Sequence, residues 1–529
     1  MYGKLHSACL YGIDGVIIQV EADLANGLPQ TSIIGLPDSS IRESVERVRA
    51  AIKNCGYAYP LQRVTINLAP ADLRKEGAAF DLAIALGILT TSGQVQLPGA
   101  DRLLVIGELA LDGSLRPVTG VLSMAERAKR EGFEGLLLPV ENAPEAALIG
   151  GLNIYGISHL NDLEDKSGDR ESGKSGSEFA SVTSRPEKAP VIVSLDRLAY
   201  TPLSSAARAS YRGEAASLED YRDVFGQQHV KRALTIAAAG MHNIILIGPP
   251  GTGKTMLIKR LPTILPELSE QESLETTKIF SAAGKLKQTE GLLRRRPFRS
   301  PHHTISPGGL IGGGTIPKPG EVSLAHRGIL FLDELPEFSR SVLEVLRQPM
   351  EDHEVTISRA RAVFTYPARF MLACSMNPCP CGYYGSDHPL QRCTCSLRRI
   401  AGYRSKISGP LLDRIDIQVD VPRPKEMPGA SEPLSSEEMR KDVDAAREIQ
   451  LRRYHGTPFR WNSELYGSAL RRYAPLDQEA GRILNSTLEA LGLSMRAYDR
   501  ILKLSRTIAD LDGSGSITSA HIAEAIQYR

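Results

Sequence analysis

The sequence predicts an α/β protein with two parts that contain strands, followed by an all-α C-terminal region. Three observations support this prediction. Short apolar runs alternate with helix-like segments in the first third of the chain. Beyond residue 217, strand-like runs are separated by helical stretches, which is typical of a parallel sheet with crossover helices. Beyond about residue 424, apolar residues recur with the period of a helix.

Length and composition limit the possible protein classes. The chain has 529 residues, with 63 Lys and Arg against 61 Asp and Glu. This length predicts three or four domains of about 150 residues each. Hydrophobic residues make up 42% and charged residues 23%, which excludes wholesale disorder and a fibrous protein. The balanced charge indicates nothing about a nucleic-acid partner.

The elements divide the chain into four segments. Apolar runs at 16–18, 64–66 and 136–138, with helix-like segments at 41–54, 79–91 and 122–131, predict an α/β domain over residues 1–163. A Ser/Gly-rich stretch predicts a flexible linker over 164–217. Strand-like runs at 244–247, 329–332 and 370–374 predict a core over 218–424, and helical periodicity predicts an all-α lid over 425–529. With no secretory signal and no run of ~18 apolar residues, we expect a cytoplasmic protein without a membrane partner.

A glycine-rich octapeptide follows the strand at 244–247 and precedes a helix-like segment. It fits the complete P-loop pattern and consists of Gly248, Pro249, Pro250, Gly251, Thr252, Gly253, Lys254 and Thr255. In such loops backbone N–H groups surround a phosphate, so Lys254 is expected to bind the β- and γ-phosphates and Thr255 to bind Mg²⁺. The alternative is an ordinary Gly/Pro turn, but the flanking strand, the helix and the Lys-Thr pair favour the P-loop.

A second apolar strand, at 329–332, ends in Asp333 and Glu334. This is the pattern of a Walker-B element, which we expect to lie beside the P-loop strand. Asp333 would hold Mg²⁺ and Glu334 would polarise the attacking water. The alternative is a strand that ends in two solvated acids. Taken together, the two motifs predict the binding and hydrolysis of ATP.

Four cysteines lie close together in the sequence, as two C-x-C pairs: Cys379, Cys381, Cys393 and Cys395. Four thiolates can bind Zn²⁺ tetrahedrally, and His388 is a substitute ligand. The spacing departs from the usual C-x₂₋₄-C pattern. Four free cysteines in a reducing cytosol therefore remain an alternative to a zinc site.

Several motifs resemble the YifB/ComM family of magnesium-chelatase-like AAA+ ATPases, and the likeness runs nearly end to end. The motifs are residues 223–227, 299–304, 326–328 and 408–416. The resemblance implies a P-loop AAA+ core, an N-terminal Lon-protease-like (ribosomal S5 domain 2-like) domain and a C-terminal helical lid. It also implies that Asn377 is a sensor that orients water and that Arg496 is a second sensor that contacts nucleotide. Arg414 would be an arginine finger acting on a neighbour's ATP, which implies a ring, expected to be hexameric.

The N-terminal segment resembles Lon without its catalytic pair. Residues 75–81 are similar to the Lon loop that carries the nucleophilic Ser, but Ala79 stands at that position. Residues 115–122 are similar to the stretch that leads to the catalytic Lys, but Leu122 takes its place. Because a Ser–Lys pair needs both a hydroxyl and a base, we expect no peptidase activity. By analogy, this domain would pack as a ring or guide a polymer into the motor.

Two features favour a polymer channel. Residues 306–314 are too Gly-rich for a stable helix and would form a mobile pore loop, while residues 354–366 predict a hairpin. Basic residues cluster at Arg294, Arg295, Arg296, Arg299, Arg359, Arg361, Arg392, Arg398, Arg399, Arg404 and Lys406. They would contact the DNA backbone in a central pore, although such runs are also typical of solvated surfaces. The family resemblance implies helicase-type branch migration in recombination of incoming DNA. The alternatives are a metal-chelatase motor and an AAA+ factor acting on protein.

Overall fold

The computed structural model describes residues 1–164, 190–201, 219–286, 291–314, 317–359, 362–385, 392–423, 433–492 and 494–528. The chain separates into two compact units. Unit 1 comprises Met1–Arg212 with Thr277–Leu292, and unit 2 comprises Gly213–Thr276 with Leu293–Arg529. Within the described ranges, no helix combines the length and the apolar character needed to cross a membrane.

Unit 1 contains mostly strands. These are β1 (Tyr2–Tyr11), β2 (Asp14–Ala25), β3 (Gln30–Ile34), β4 (Arg63–Ala69), β5 (Val95–Gln96), β6 (Leu103–Val105), β7 (Glu108–Leu109), β8 (Leu115–Arg116), β9 (Gly135–Pro139), β10 (Asn153–Ile157) and β11 (Val191–Ile192). Its helices are α1 (Ser39–Asn54), α2 (Asp81–Thr91), α3 (Val121–Arg130), α4 (Ala143–Ala146) and α5 (Leu195–Leu198). The first helix begins where Asp38 accepts a hydrogen bond from the Ile41 N–H at 2.8 Å.

The main sheet of unit 1 has, among the described residues, seven strands in the order β10-β9-β6-β1-β2-β4-β3. Alternate residues of its strands enter different cores. Leu137 packs in the cluster that contains α1 and α2, whereas Leu136 and Leu138 pack in the cluster that contains α3. Because side chains alternate across a strand, the sheet is covered by helices on both faces. This is the α/β layering that the sequence predicts.

Two short segments lie in unit 1 although the sequence-based division did not place them there. Residues 190–201 fall within the expected linker, yet β11 pairs with β5 and Val193 is buried. The apolar run Val191–Val193 accounts for this difference. Residues 165–189 and 202–218 lie outside the described part of the chain. The second segment is Thr277–Leu292, in which Lys278 pairs with Glu126 at 2.7 Å.

Unit 2 begins with α6 (Gln228–Gly240), β12 (Ile244–Ile247), α7 (Lys254–Lys259) and α8 (Glu270–Ala282), whose last residues belong to unit 1. There follow β13 (Phe298–Arg299), α9 (Pro307–Ile311), β14 (Gly312–Gly313), β15 (Lys318–Pro319), α10 (Glu321–Leu324), β16 (Ile329–Leu332), α11 (Arg340–Val345), α12 (Arg347–Asp352), β17 (Glu354–Arg359), β18 (Ala362–Pro367) and β19 (Met371–Met376). The remaining elements are α13 (Leu397–Arg404), α14 (Gly409–Leu412), β20 (Ile417–Asp420), α15 (Ser436–Arg453), α16 (Gly467–Tyr473), α17 (Gln478–Leu491), α18 (Met495–Leu511) and α19 (Ser519–Gln527).

The central sheet of unit 2 is parallel and, in the described part of the chain, has five strands in the order β13-β16-β19-β12-β20. The three inner strands, β16, β19 and β12, are almost wholly apolar because helices cover both faces of such a sheet. Ile244 and Leu246 of β12 share one core with α6 and with α15 and α18 of the helical C-terminal region. A parallel sheet and a C-terminal helical region are both confirmed.

The Gly-rich segment 306–314 differs from the expectation that it is too Gly-rich to be helical. Residues Pro307–Ile311 form α9, whose first turn is capped where Ser306 accepts a hydrogen bond from the Gly309 N–H at 3.1 Å. Proline at the first helical position favours this start, because it has no N–H to leave unsatisfied. The predicted hairpin at 354–366 is present as the antiparallel pair β17–β18.

Candidate functional site

The loop between β12 and α7 has the backbone of a phosphate-binding turn. Gly251 and Gly253 have φ angles of +79° and +85°, which glycine adopts without the steric cost that a Cβ imposes. At Gly248, a Cβ would lie 2.3 Å from the Val421 carbonyl oxygen, so only glycine fits there. Successive backbone N–H groups in such a turn form a nest that binds anions.

The Lys254 amino group lies where this loop meets a neighbouring strand. It donates to the Gly248 and Pro249 carbonyl oxygens at 2.7 and 2.8 Å and to Oδ1 of Asn377 at 3.2 Å. Burial lowers the pKa of Lys254, while the negative charges of Asp333 and Glu334 oppose that shift. The predicted sensor residue and the predicted phosphate-binding lysine are therefore in direct contact.

The predicted magnesium ligands are also neighbours. Thr255 Oγ1 donates to Oδ2 of Asp333 at 2.9 Å. Oδ1 of Asp333 accepts a hydrogen bond from Ser375, whose hydroxyl oxygen in turn accepts the Glu334 N–H at 3.2 Å. Ser375 orients both acids and was missed by the sequence analysis. The only signal for it is a hydroxyl within the otherwise apolar strand β19.

Glu334 is held in an unusual backbone conformation. Its φ of +54° is left-handed, a region that non-glycine residues seldom occupy and that is frequent at functional sites. Its backbone N–H is fixed by Ser375 while the residue itself is exposed. An exposed carboxylate next to a fixed acid fits the role of a base for solvent-derived water.

The relation between the two motif strands differs from the sequence-based expectation. The Walker-B strand β16 does not lie beside the P-loop strand β12, because β19 runs between them and pairs with both. The side chains still meet, since the P-loop, Asp333 and Asn377 follow the carboxyl ends of three neighbouring parallel strands. We call this side of the sheet the carboxyl edge.

A cavity of about 430 Å³ lies at the opposite side of the same sheet, which we call the amino edge. Asn243, Phe370 and Asp416, which precede β12, β19 and β20, are part of its lining. Arg414 and Arg496 also line it. The structure therefore groups these two arginines with each other and not with the P-loop of their own chain.

This grouping bears on the predicted role of Arg496 as a sensor that contacts nucleotide, because it indicates which edge of the sheet Arg496 can serve. Arg496 is at the start of α18, which packs on α6 and α15 in the core of unit 2. That packing holds the amino end of α18 at the amino edge. Arg496 therefore lies at the opposite edge of the sheet from Lys254, which follows the carboxyl end of β12.

Charges of both signs line the amino-edge cavity. Arg414 pairs with Glu351 and donates to the Pro410 carbonyl oxygen. Arg500 reaches the Ile415 carbonyl oxygen at 3.0 Å and Asp413 at 3.4 Å, which ties α18 to the loop that carries Arg414. The cationic lining residues are Arg296, Arg327, Arg369, Arg414, Arg496, Arg500 and Lys503, against Glu351, Asp413, Asp416, Glu464 and Asp499. An excess of cations suits an anionic ligand.

The four cysteines lie together. The Sγ atoms of Cys379, Cys381, Cys393 and Cys395 are all within 4.8 Å of one another, and three of the separations are 3.3, 3.6 and 3.7 Å. Tetrahedral Zn²⁺ with Zn–S bonds of about 2.3 Å requires S···S distances of ~3.8 Å. Burial opposes ionisation of Cys381, but N–H groups of Tyr383 and Thr394 and the neighbouring thiols lower its pKa to about 6, whereas burial and the thiol contacts raise the pKa of Cys393 and Cys395. The spacing of the four Sγ atoms fits a metal, and His388 lies outside the described residues.

The basic residues expected in a channel divide into two groups. Arg296 is buried and pairs with Glu272 at 3.1 Å, and Arg299 pairs with Glu321 at 2.6 Å. These two arginines are thus committed to internal ion pairs, which is a correction to the predicted cluster. Exposed members include Arg359, Arg392, Arg398 and Arg399. Arg361 lies outside the described residues.

Comparison with known proteins gives consistent results along the chain. Three family models match: "Magnesium chelatase, subunit ChlI" over residues 220–428, "Subunit ChlI of Mg-chelatase" over 20–142, and "Magnesium chelatase, subunit ChlI C-terminal" over 433–529. The uncharacterized protein YifB of Salmonella typhimurium is 42% identical over 534 aligned positions, which cover 99% of this chain and 96% of that protein. Competence protein ComM of Haemophilus influenzae is 41% identical, covering 99% and 97%. The chain belongs to the YifB/ComM family.

Membership of the YifB/ComM family gives unit 2 its general chemistry. The family is magnesium-chelatase-like and has the AAA+ P-loop fold, so the chain is an ATPase motor that uses ATP and Mg²⁺. A partial likeness to Lon protease 2 of Bacillus subtilis, 28% identical over 152 residues, covers 27% of this chain and 27% of that protein.

The two Lon-like positions of unit 1 carry no catalytic group. Ala79 has no hydroxyl, and its carbonyl oxygen accepts the Gly107 N–H at 2.9 Å. Leu122 is fully buried, and its N–H donates to Glu145 at 3.0 Å. Burial raises the pKa of Glu145, while hydrogen bonds from Ser281 and Leu122 oppose that shift. The absence of peptidase activity stays a prediction for this family member.

Proposed function

We propose that this chain forms a cytoplasmic ring, with six subunits expected, that hydrolyses ATP to move along DNA and to drive branch migration during recombination of incoming DNA. The full-length likeness to competence protein ComM supports a role with incoming DNA. The structural observation that carries the proposal is the contact between the β14–β15 and β17–β18 hairpins of unit 2, which is made by the exposed Arg359.

ATP would be bound at the carboxyl edge. Lys254 would bind the β- and γ-phosphates, and Thr255 with Asp333 would hold Mg²⁺, which neutralises phosphate charge. Their existing contact at 2.9 Å supports this assignment, since both oxygens already point to one place. Glu334 would take a proton from the attacking water, and Asn377 would orient that water.

The amino edge would complete the site of a neighbouring subunit. Arg414 and Arg496 line one cavity with excess positive charge, and the strands of their own sheet separate them from Lys254. An arginine that stabilises the charge of the transferred phosphoryl group must reach it directly. We infer that both arginines act on ATP bound by the next subunit, and a ring supplies every site with such a neighbour.

DNA would be contacted by the β14–β15 and β17–β18 hairpins. Arg359, at the end of β17, donates to the Gly314 carbonyl oxygen at 3.1 Å, so the end of β17 adjoins the residue that follows β14. Arg359 and Val363 are exposed on this hairpin. Arginine and backbone N–H groups bind phosphate oxygens without reading sequence, as a translocating motor requires.

Two other functions remain as alternatives: a metal-chelatase motor and an AAA+ factor acting on protein. The N-terminal region does not exclude the first, because the family model that matches residues 20–142 is itself described as a chelatase subunit. The DNA motor is preferred to these two alternatives because of the full-length likeness to ComM and because of Arg359 on the β17–β18 hairpin.

The test is strand exchange on forked and four-way DNA. Wild type should exchange strands in the presence of ATP, and DNA should stimulate its ATPase. Glu334→Gln should bind the same DNA without exchange. Arg359→Ala should lose DNA stimulation while keeping basal ATPase, whereas Arg340→Ala, which removes an exposed arginine of the same unit, should behave as wild type. An ATPase that no DNA form stimulates, together with absent exchange, would exclude the DNA motor.

We further propose that the four cysteines bind one Zn²⁺ per chain. The short Sγ···Sγ separations support this assignment. Metal analysis of protein purified without chelators should give one zinc per chain, and Cys393→Ser with Cys395→Ser should give none. Protein that contains no zinc under these conditions would leave the alternative of four free thiols.

A further inference from the structure

The cysteine cluster is continuous with the nucleotide site through one short turn. Cys379 follows Asn377 by two residues. The Cys379 carbonyl oxygen accepts the Gly382 N–H at 2.9 Å, and its Sγ accepts the Tyr384 N–H at 3.4 Å. We call residues 379–385 the cysteine turn. Its two hydrogen bonds fold it around the Cys379 thiol, which is itself a predicted metal ligand.

The cysteine turn packs directly on the P-loop. Gly382 is buried with a φ of +86°, and a Cβ there would lie 2.6 Å from Cδ and 3.1 Å from Cγ of Pro250. This separation is too short for any side chain, so the backbone of the turn rests on the prolyl ring. Pro250 adjoins Pro249, whose carbonyl oxygen accepts Lys254 and Thr252 at 2.8 and 3.0 Å.

The turn is also anchored on its other side. Arg404 of α13 donates through Nε to the Pro378 carbonyl oxygen at 3.3 Å, and its guanidinium lies 5.4 Å from the centre of the Tyr384 ring. The cysteine turn is held by α13 on one side and by contacts between its own thiols. It is therefore expected to keep its packing against the P-loop.

We propose that the cysteine cluster sets the affinity of the P-loop for nucleotide. With Zn²⁺ bound, the four thiolates keep the cysteine turn closed on Pro250, which fixes the loop around Lys254 and keeps Asn377 within reach of it. This inference rests on the proposed ATP site and adds a role for the cluster that a purely local structural zinc would not have. Loss of the turn's contact should weaken ATP binding without removing any group that touches ATP.

The first test separates the contact from the metal. Gly382→Ala should weaken the binding of a fluorescent ATP analogue about tenfold, because its methyl group must displace Pro250, while bound zinc stays at one per chain. Gly385→Ala is the matched control. Gly385 also has a positive φ, +77°, so it bears the same backbone strain, but a Cβ there meets nothing within 4 Å. Equal affinities for the two variants would overturn the proposal.

The second test removes the metal by changing the second C-x-C pair of the cluster. Cys393→Ser with Cys395→Ser leaves Asn377, Cys379 and Gly382 in place, and it should weaken analogue binding to the same degree as Gly382→Ala. Circular dichroism would report any loss of folding in the serine variant. If that variant unfolds, the test rests on Gly382→Ala, which keeps all four thiols. A wild type that binds no nucleotide would refute the ATP site itself. A wild type that binds nucleotide with the same affinity as both variants would refute only this inference.

Discussion

The two edges of the unit 2 sheet differ in which of the predicted site residues they bring together. At the carboxyl edge, Lys254 contacts Asn377, and Thr255 contacts Asp333. These groups come from one chain and are already assembled. At the amino edge, Arg414 and Arg496 line a cavity that contains no phosphate-binding loop of their own chain. If these arginines act on ATP, as we propose, that ATP is bound by another chain.

This difference explains why a single chain is expected to be a poor ATPase. In the proposed mechanism, the carboxyl edge binds nucleotide and supplies the base, but it lacks an arginine that stabilises the transferred phosphoryl group. The amino edge would supply that arginine to a neighbouring subunit. Assembly would then control hydrolysis, and the two edges should respond differently to mutation and to mixing of subunits.

The largest effect is expected at the carboxyl edge, for Lys254→Ala. Loss of charged hydrogen bonds to two phosphates should weaken ATP binding about a hundredfold or more, and turnover should disappear. Binding of a fluorescent ATP analogue measures this directly. Lys259→Ala, at the exposed end of the same helix, is the control and should bind as wild type does. Unchanged binding by Lys254→Ala would remove the P-loop assignment.

The next effect is expected at the amino edge, for Arg414→Ala. An arginine finger contributes about 10³-fold or more to kcat, so turnover should fall steeply while ATP binding persists. Mixing Arg414→Ala with Lys254→Ala subunits should restore part of the ATPase, because an intact carboxyl edge then meets an intact amino edge. No rescue at any ratio of the two would contradict an action in trans.

Glu334→Gln returns to the carboxyl edge and should affect chemistry alone. A general base contributes about 10²-fold or more, so kcat should fall by at least that factor while the analogue binds with wild-type affinity. Single-turnover hydrolysis is the measurement. Full activity in this variant would show that Glu334 is not the base.

Arg496→Ala should have the smallest effect on kcat, but it is the variant that best tests the difference between the two edges. We expect kcat to fall about tenfold, as for the loss of one charge contact at about 1.4 kcal/mol. A mixture with Lys254→Ala subunits should recover activity if Arg496 acts in trans, as its place in the amino-edge cavity requires. If this mixture recovers no activity while the mixture with Arg414→Ala does, Arg496 acts on the nucleotide of its own subunit.

Local sequence patterns predicted the carboxyl edge well. The strand bounds Ile244–Ile247 and Ile329–Leu332 agree with the apolar runs, because a buried parallel strand needs every residue apolar and stops where polar residues begin. The P-loop pattern is equally local, since a tight turn dictates its glycines. Ser375 was missed because a single hydroxyl in an apolar strand has no pattern to identify it.

The partners of charged residues could not be predicted in the same way. Arg296 was counted with an exposed basic run, but it is buried against Glu272, and its guanidinium lies 5.3 Å from the Trp461 ring. The contact of Gly382 with Pro250 joins residues 132 positions apart and leaves no trace in either local sequence. Such contacts depend on how the strands are ordered, which local periodicity does not encode.

The sequence by itself determined the α/β class, the helical C-terminal region, the nucleotide-binding loop and the proximity of four cysteines along the chain. Each of these depends on residues near one another in sequence, where backbone geometry and burial impose a pattern. The tertiary structure decided that β19 separates the two motif strands, that the cysteine turn rests on the P-loop, and that Arg414 and Arg496 share the amino edge. These outcomes follow from the packing of distant segments, for which the free energy depends on the whole core.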